Sequence, residues 1–397
     1  MKHYDFDKVI DRQGTNDVKH ELLQEYFGCR DLLPLWVADM DFETPDFIRD
    51  AIVRRMQHPI CGYSVLPQGY WDVIGQWIES HHQWHVEREW MHFIPGIVKG
   101  IGLVVNSLTT PGDKVIIQPP VYHPFRIVPE GNGREIIYNP LIHREEDIYE
   151  IDFEGLERVC DEHCRLLILA NPHNPIGICW SRETLVRLAE FCHSRGIIVV
   201  SDEIHCDMAL FGHKHIPFAS VSDKAAQTSI TFQAPTKTFN MAGMISSYCI
   251  VPSEEIRKKF YSWIDANEFA SPNMFSPLAT VAAFTQGEPW RKQMLSYIEQ
   301  NIFFVEDYCR RNIPAIHPIR PQASFLVWLD CRGLHLKHDR LVDLFVGHAH
   351  LALNDGAMFG GEGDGYMRLN VGVPRVILEK ALSQLKEACL FNSATLT

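Results

Sequence analysis

Residues 231–243, TFQAPTKTFNMAG, set a single lysine, Lys237, in a loop directly after a short β-rich run. Most loop lysines are solvated surface charges. Here Thr236 supplies a neighbouring hydroxyl, Ala234 and Gly243 keep the approach narrow, and Phe239 and Met241 are apolar enough to desolvate an amine. Desolvation disfavours the ammonium form, and the neutral amine can condense with a carbonyl to form a Schiff base. Pyridoxal phosphate is the first cofactor to consider for such a lysine, and it also requires an acid beside its ring nitrogen.

The acid and its companions are found at the ends of other apolar runs. The run 166–170 leads into Asn171 and Asn174, and 197–201 leads into Asp202 and His205. The run 115–117 leads to Tyr122, and 230–232 leads to Lys237. A lone strand-end Asn or Asp is usually a turn former. Together these four ends present an amide, an acid, an aromatic ring and an amine. Arg368, inside YMRLN and flanked by apolar residues, needs an anionic partner, either a structural carboxylate or the carboxylate of a substrate.

These side chains need a frame. Near-continuous apolar runs separated by helical patterns predict a mostly parallel sheet covered on both faces, with ligands bound beyond the carboxyl ends of its strands. Ser181 and Gly196 predict the two ends of one crossover helix. FIPGIVKGIG at 93–102 reads as a strand start, a Pro-Gly turn and a helix. Gly96 there serves either packing or the approach of an anion to the backbone amides. Thr44 and Pro45 predict the start of a helix reaching about Gln57, and 70–81 reads as a second helix. Residues 289–311 form a long helical pattern leading to strands at 325–329 and 366–370 and a last helix over 377–390. Residues 36–42 predict an arm laid over another domain, with two carboxylates in solvent.

The 397 residues exceed what one core usually supports, and 46% hydrophobic content fills two. A net charge of -13 without long runs of like charge argues against nucleic acid or an anionic membrane as partner. The polar N-terminus and the lack of an apolar stretch long enough to span a bilayer predict a cytoplasmic protein. Eleven scattered cysteines without a CxxC pair fit reduced thiols. His81, His82 and His85 do not make a ligand set, so no metal is expected. GGEGDG at 360–365 reads as a flexible turn.

WVADMDF (36–42), GYSVLPQGY (62–70), PPVYHPF (119–125), NPHNPIG (171–177), SDEIHCDM (201–208), APTKTFNMAG (234–243) and MRLNVGVPR (367–375) span nearly the whole chain. Together they resemble the aspartate aminotransferase-like fold of pyridoxal phosphate enzymes. WVADMDF, DEIH and KTFN narrow the resemblance to its cystathionine β-lyase branch, of the MalY/PatB type. The resemblance implies an α/β fold with a large cofactor-binding domain (45–288) built on a mostly parallel sheet, and a smaller α/β domain (289–397). Residues 1–44 would form an arm and part of the small domain. It implies that Lys237 carries the cofactor, Asp202 pairs with the pyridine nitrogen, Asn174 and His205 lie near the phenolic oxygen, and Tyr122 stacks on the ring. The amides of Ile97 and Val98 and the Thr236 hydroxyl would hold the phosphate, and Arg368 the substrate α-carboxylate. Tyr63 would reach the phosphate from the neighbouring subunit of a homodimer; the alternative is a tyrosine buried in its own subunit. One position departs from the pattern: many aminotransferases of this fold have an arginine eight residues after the lysine, where this chain has Ile245. The implied reaction is β-elimination from cystathionine or a related S-substituted cysteine. The rivals are a class I/II aminotransferase and a cofactor-bound regulatory protein.

Overall fold

The structure, a computed structural model, describes residues 2–395; Met1 and residues 396–397, the outer ends of the expected first and last segments, lie outside it. Seven strands form the larger sheet: β1 (Met91–Ile94), β2 (Lys114–Ile117), β3 (Glu135–Tyr138), β4 (Cys164–Ala170), β5 (Ile198–Asp202), β6 (Ser229–Gln233) and β7 (Ser247–Ile250). Their order is β1-β7-β6-β5-β4-β2-β3. From β6 to β3 all pairings are parallel, and β7 runs antiparallel to both β6 and β1. Strands β5 and β6 are buried almost throughout; β5 accordingly opens on an unbroken apolar run, Ile198–Val200, whereas β6 (SITFQ) alternates although both of its faces are covered. Edge strand β3 is exposed or half-buried along its length, the exception to that rule.

The sequence reading missed β7. Its residues Ser247, Tyr248 and Cys249 lack a β-branched run, and the strand exists because tertiary pairing with β6 and β1 completes its hydrogen bonds. The crossover helix Arg182–Arg195 is capped as expected: Ser181 Oγ accepts from the Thr184 amide at 3.1 Å, and Gly196 closes it in the left-handed conformation (φ 65°). Helix α1 (Ile97–Leu108) lies directly on the sheet. A Cβ on its Gly100 would come within 2.8 Å of Ile94 Cδ1 and 3.1 Å of Phe232 Cζ, so the absence of a side chain fixes how closely the helix sits. Thr44 does not cap the helix Asp46–Met56; its hydroxyl instead donates to the Asn240 carbonyl at 2.7 Å.

After the long helix α2 (Glu288–Asn312), strands β8 (His317–Ile319), β9 (Leu326–Asp330), β10 (Asn354–Asp355) and β11 (Tyr366–Asn370) form an antiparallel sheet in the order β8-β9-β11-β10. Helix α3 (Arg375–Thr395) follows. The N-terminal segment joins this half of the chain: Leu33–Pro34 pairs in parallel with Leu351–Ala352. The carboxylates of its WVADMDF stretch are not in solvent. Asp39 takes a two-pronged bond from Arg12 (3.0 and 2.7 Å), and Asp41 is bound by Arg12 (2.7 Å) and by the fully buried Lys19 (2.8 Å). Expected as flexible, GGEGDG folds as a tight turn in which a Cβ on Gly363 would collide with the Gly356 carbonyl. Acids from distant segments reach the histidine group: His81 meets Glu288 (3.0 Å), and His82 meets Asp207 (2.9 Å), which Trp77 Nε1 also binds. None of the eleven cysteines is joined in a disulfide. Among the described residues no helix is long and apolar enough to cross a membrane.

Candidate active site

Ala170, Asp202 and Phe232 lie side by side in register at the carboxyl edge of β4, β5 and β6. The loops that follow therefore leave the sheet from one line and converge on a cavity of about 340 Å³. Eight expected site residues line it: Ile97, Val98, Tyr122, Asn174, Asp202, His205, Thr236 and Lys237. Asp202 is the last residue of its strand, and its Oδ1 accepts from the Ile204 amide at 3.1 Å. Burial pushes its carboxyl up to about 7, against the pull of that amide and of Lys237. Burial pushes the Lys237 amine down to about 8; Asp39 works to raise it, Arg368 to lower it and Asp202 to raise it. The amine donates to the Ala38 carbonyl, from the arm.

Arg368 stands beside the cavity on β11 and is buried. It donates to Asn174 Oδ1 (2.9 Å), the Trp36 carbonyl (3.2 Å) and Asn354 Oδ1 (2.5 Å), all neutral acceptors. The guanidinium lies over the Phe359 ring at 4.9 Å. It forms no ion pair among the described residues, and desolvation pushes it down to about 10. The structural carboxylate offered as one explanation of this arginine is therefore not there. His205 is buried with Nδ1 unpartnered. Burial, then Lys237 and Arg368, push it down to about 3, so the ring is neutral.

Tyr63 alone among the candidates is not brought to the cavity. Its relative exposure is 112%, which rules out a tyrosine buried in its own subunit. The sequence reading missed the Ala38 and Trp36 carbonyls, Asn354, and the Lys99 and Ser247 side chains, which also line the cavity. WVADMDF was the available signal for the first two. Backbone acceptors have no residue code, so the motif alone did not show what it would offer.

The groups present suit pyridoxal phosphate. Among the described residues Asp202 has no hydrogen bond from a cation and His205 Nδ1 and Arg368 Nε have no partner, and an amine and the first residues of a helix line the same cavity. Buried polar groups left this way cost stability unless a ligand satisfies them. An amine and an acid pushed toward each other in pKa, at the carboxyl edge of such a sheet, define an enzyme of aminotransferase-type amine chemistry. The chain belongs to the aminotransferase class I and II family, whose sequence pattern matches residues 31–385. It is 42% identical to the cystathionine beta-lyase PatB of Bacillus subtilis over 384 residues, covering 96% of this chain and 99% of that one. A PLP-bound putative aminotransferase from Clostridium difficile superposes with a TM-score of 0.95 at 38% identity, covering 98% of this chain and 100% of that one. The PLP-bound C-S lyase from Staphylococcus hominis superposes at 0.89 with 33% identity, covering 98% of each.

Proposed function

We propose that this chain is a pyridoxal phosphate-dependent carbon–sulfur β-lyase that cleaves cystathionine or a related S-substituted cysteine to pyruvate, ammonia and a thiol. The observation that carries the reading is the buried Arg368, held by neutral acceptors beside the Lys237 and Asp202 pair. The names of the relatives support the choice of elimination.

When bound, the cofactor supplies an aldehyde that condenses with amines and a ring that draws electron density from the substrate Cα. Asp202 keeps a proton on the ring nitrogen; a cationic partner there restores the charged carboxylate that burial disfavours. Arg368 grips the α-carboxylate and fixes which Cα bond is presented. Lys237, whose amine burial brings down to about 8 so that it gives up its proton more readily than an ordinary lysine, removes the Cα proton. The electron pair left at Cα expels the thiolate from Cβ, and the proton held by Lys237 neutralises the leaving sulfur. The remaining enamine hydrolyses to pyruvate and ammonia. Tyr122 would cover one face of the ring, Asn174 and His205 would lie toward its phenolic oxygen, and Ile97, Val98 and Thr236 would hold the phosphate.

The division into an arm (1–44), a large domain (45–288) and a small domain (289–397) is part of this proposal; the antiparallel sheet that follows α2 supports it. A homodimer with Tyr63 reaching the partner's cofactor is supported by the exposure of Val53, Met56, Ile60, Tyr63 and Val65 along one stretch. A cytoplasmic location is supported by the eleven cysteines, none of which is joined in a disulfide. An aminotransferase shares Cα proton removal and is favoured by the name of the Clostridium difficile structure. One assay separates the two readings. The lyase releases pyruvate from cystathionine over many turnovers with no 2-oxo acid present, whereas stalling after one turnover until a 2-oxo acid is added identifies the aminotransferase.

A further inference from the structure

One end of the cavity is built to receive an anion. Helix α1 has twelve residues and no acid in its first turn. Its first intrahelical bond runs from the Gly100 amide to the Gly96 carbonyl at 2.8 Å, so the amides of Ile97, Val98 and Lys99 precede the helical ladder. Gly96, at φ 112°, turns the chain into the helix. The Thr236 and Ser247 side chains line the same cavity, are 5% and 2% exposed, and make no side-chain hydrogen bond among the described residues. Two unpartnered hydroxyls on buried residues of the cavity lining are free to bond a ligand there.

Ile245 lines this cavity as well, without a charge. It is a β-branched residue held in the left-handed region (φ 51°), with Cγ2 3.8 Å from where a Cβ on Gly96 would stand. Among the described residues the cavity lining holds two lysines, Lys237 and Lys99, and no arginine. Lys237 is bound to the Ala38 carbonyl. Lys99 is exposed and forms no ion pair or hydrogen bond through its side chain among the described residues. A cation in the first turn of a helix is opposed by the helix dipole. An anion seated between the helix amides and the two hydroxyls turns that unfavourable position into a favourable one.

We propose that Lys99 is the cation that binds the phosphate of the cofactor, supplying from the helix the countercharge that Ile245 does not provide. This deepens the functional reading above and rests on it. Lys99 adds a charge-assisted bond to the amides and hydroxyls, so its effect is specific to the phosphate and independent of the Lys237 linkage.

The test is a titration of full-length, cofactor-free protein with pyridoxal 5'-phosphate and, separately, with pyridoxal, which lacks the phosphate. Visible absorption of the lysine adduct reports binding, and inorganic phosphate serves as competitor. Lys99→Ala should weaken pyridoxal 5'-phosphate binding by roughly ten- to a hundredfold, the usual loss for one charge-assisted hydrogen bond. It should also weaken competition by inorganic phosphate, while pyridoxal binding stays within about twofold of the parent, inside the scatter expected for a surface substitution. Lys99→Arg should retain most of the affinity, and adding Ile245→Arg to Lys99→Ala should restore much of it. Equal binding of pyridoxal 5'-phosphate by parent and Lys99→Ala, or equal loss of both ligands, overturns the assignment. If the parent takes up pyridoxal but shows no preference for the phosphorylated form, Lys99 falls and the cofactor class survives. If the parent takes up neither, the functional reading fails and Lys99 with it.

Discussion

Replacing Lys237 by methionine should stabilise the cofactor-free protein while abolishing turnover. In the unfolded chain the amine titrates at its ordinary value of 10.5, and in the fold it is pushed down to about 8. Below pH 8 the fold therefore carries a penalty of about 2.5 pKa units, or roughly 3 kcal/mol at 1.36 kcal/mol per unit. Between pH 8 and 10.5 the unfolded state holds more protons, so the stability of the parent rises with pH across that window. At pH 9.5 the remaining penalty is about 1.4 kcal/mol. Methionine removes the penalty but leaves the Ala38 carbonyl without its donor, a loss of about 1 kcal/mol. The net expectation is a gain of about 2 kcal/mol at pH 7 that shrinks to nearly nothing at pH 9.5. Urea unfolding of cofactor-free parent and variant at the two pH values measures it, with unchanged slopes showing that the unfolded states are comparable. A variant no more stable than the parent at pH 7, or a gap that does not move with pH, would refute the claim that burial holds this amine near neutrality.

Two further expectations concern the arm and the assembly. Asn370→Ala removes the donors to the Val37 and Asp39 carbonyls (2.7 and 2.6 Å), and should cost about 3 kcal/mol in urea unfolding because two buried acceptors lose their partner; a loss under about 1 kcal/mol contradicts it. Subunit mixing tests Tyr63: if it serves the neighbouring site, hybrids of Lys237→Ala and Tyr63→Ala protomers contain one intact site and exceed the activity of either parent variant, whereas verified hybrids with no gain exclude the shared site.

The parts of the site legible in the sequence were those delivered by strands. Apolar runs ending in Asn, Asp and Tyr announced a parallel sheet and its carboxyl edge, because residues buried on both faces must be apolar and the break in the run marks the rim. Strand β7 was illegible because Ser247 and Cys249 are strand residues only by virtue of the neighbours they pair with. The anchoring of Lys237 and Arg368 by the carbonyls of Ala38 and Trp36 was illegible for another reason, since every residue carries the same carbonyl. Thr44 misled because a hydroxyl before Pro45 signals a helix cap locally, while a tertiary acceptor at Asn240 was the stronger claim on it. Lys99 was given no role by the sequence reading. Its meaning depends on Thr236 and Ser247 standing across the cavity.

The arm that carries Trp36 and Ala38 also bears on how the protein is made. Asn370 clasps the Val37 carbonyl across a separation of 333 residues, and Arg368 clasps the Trp36 carbonyl across 332. Translation delivers the arm more than three hundred residues before its clasps. Until β11 is made, the arm has the contacts offered by Lys237 and Asn240 but not the clasps of Arg368 and Asn370. A chain cut short before β11 therefore has its cofactor lysine without the Arg368 and Asn370 clasps that complete the site around it.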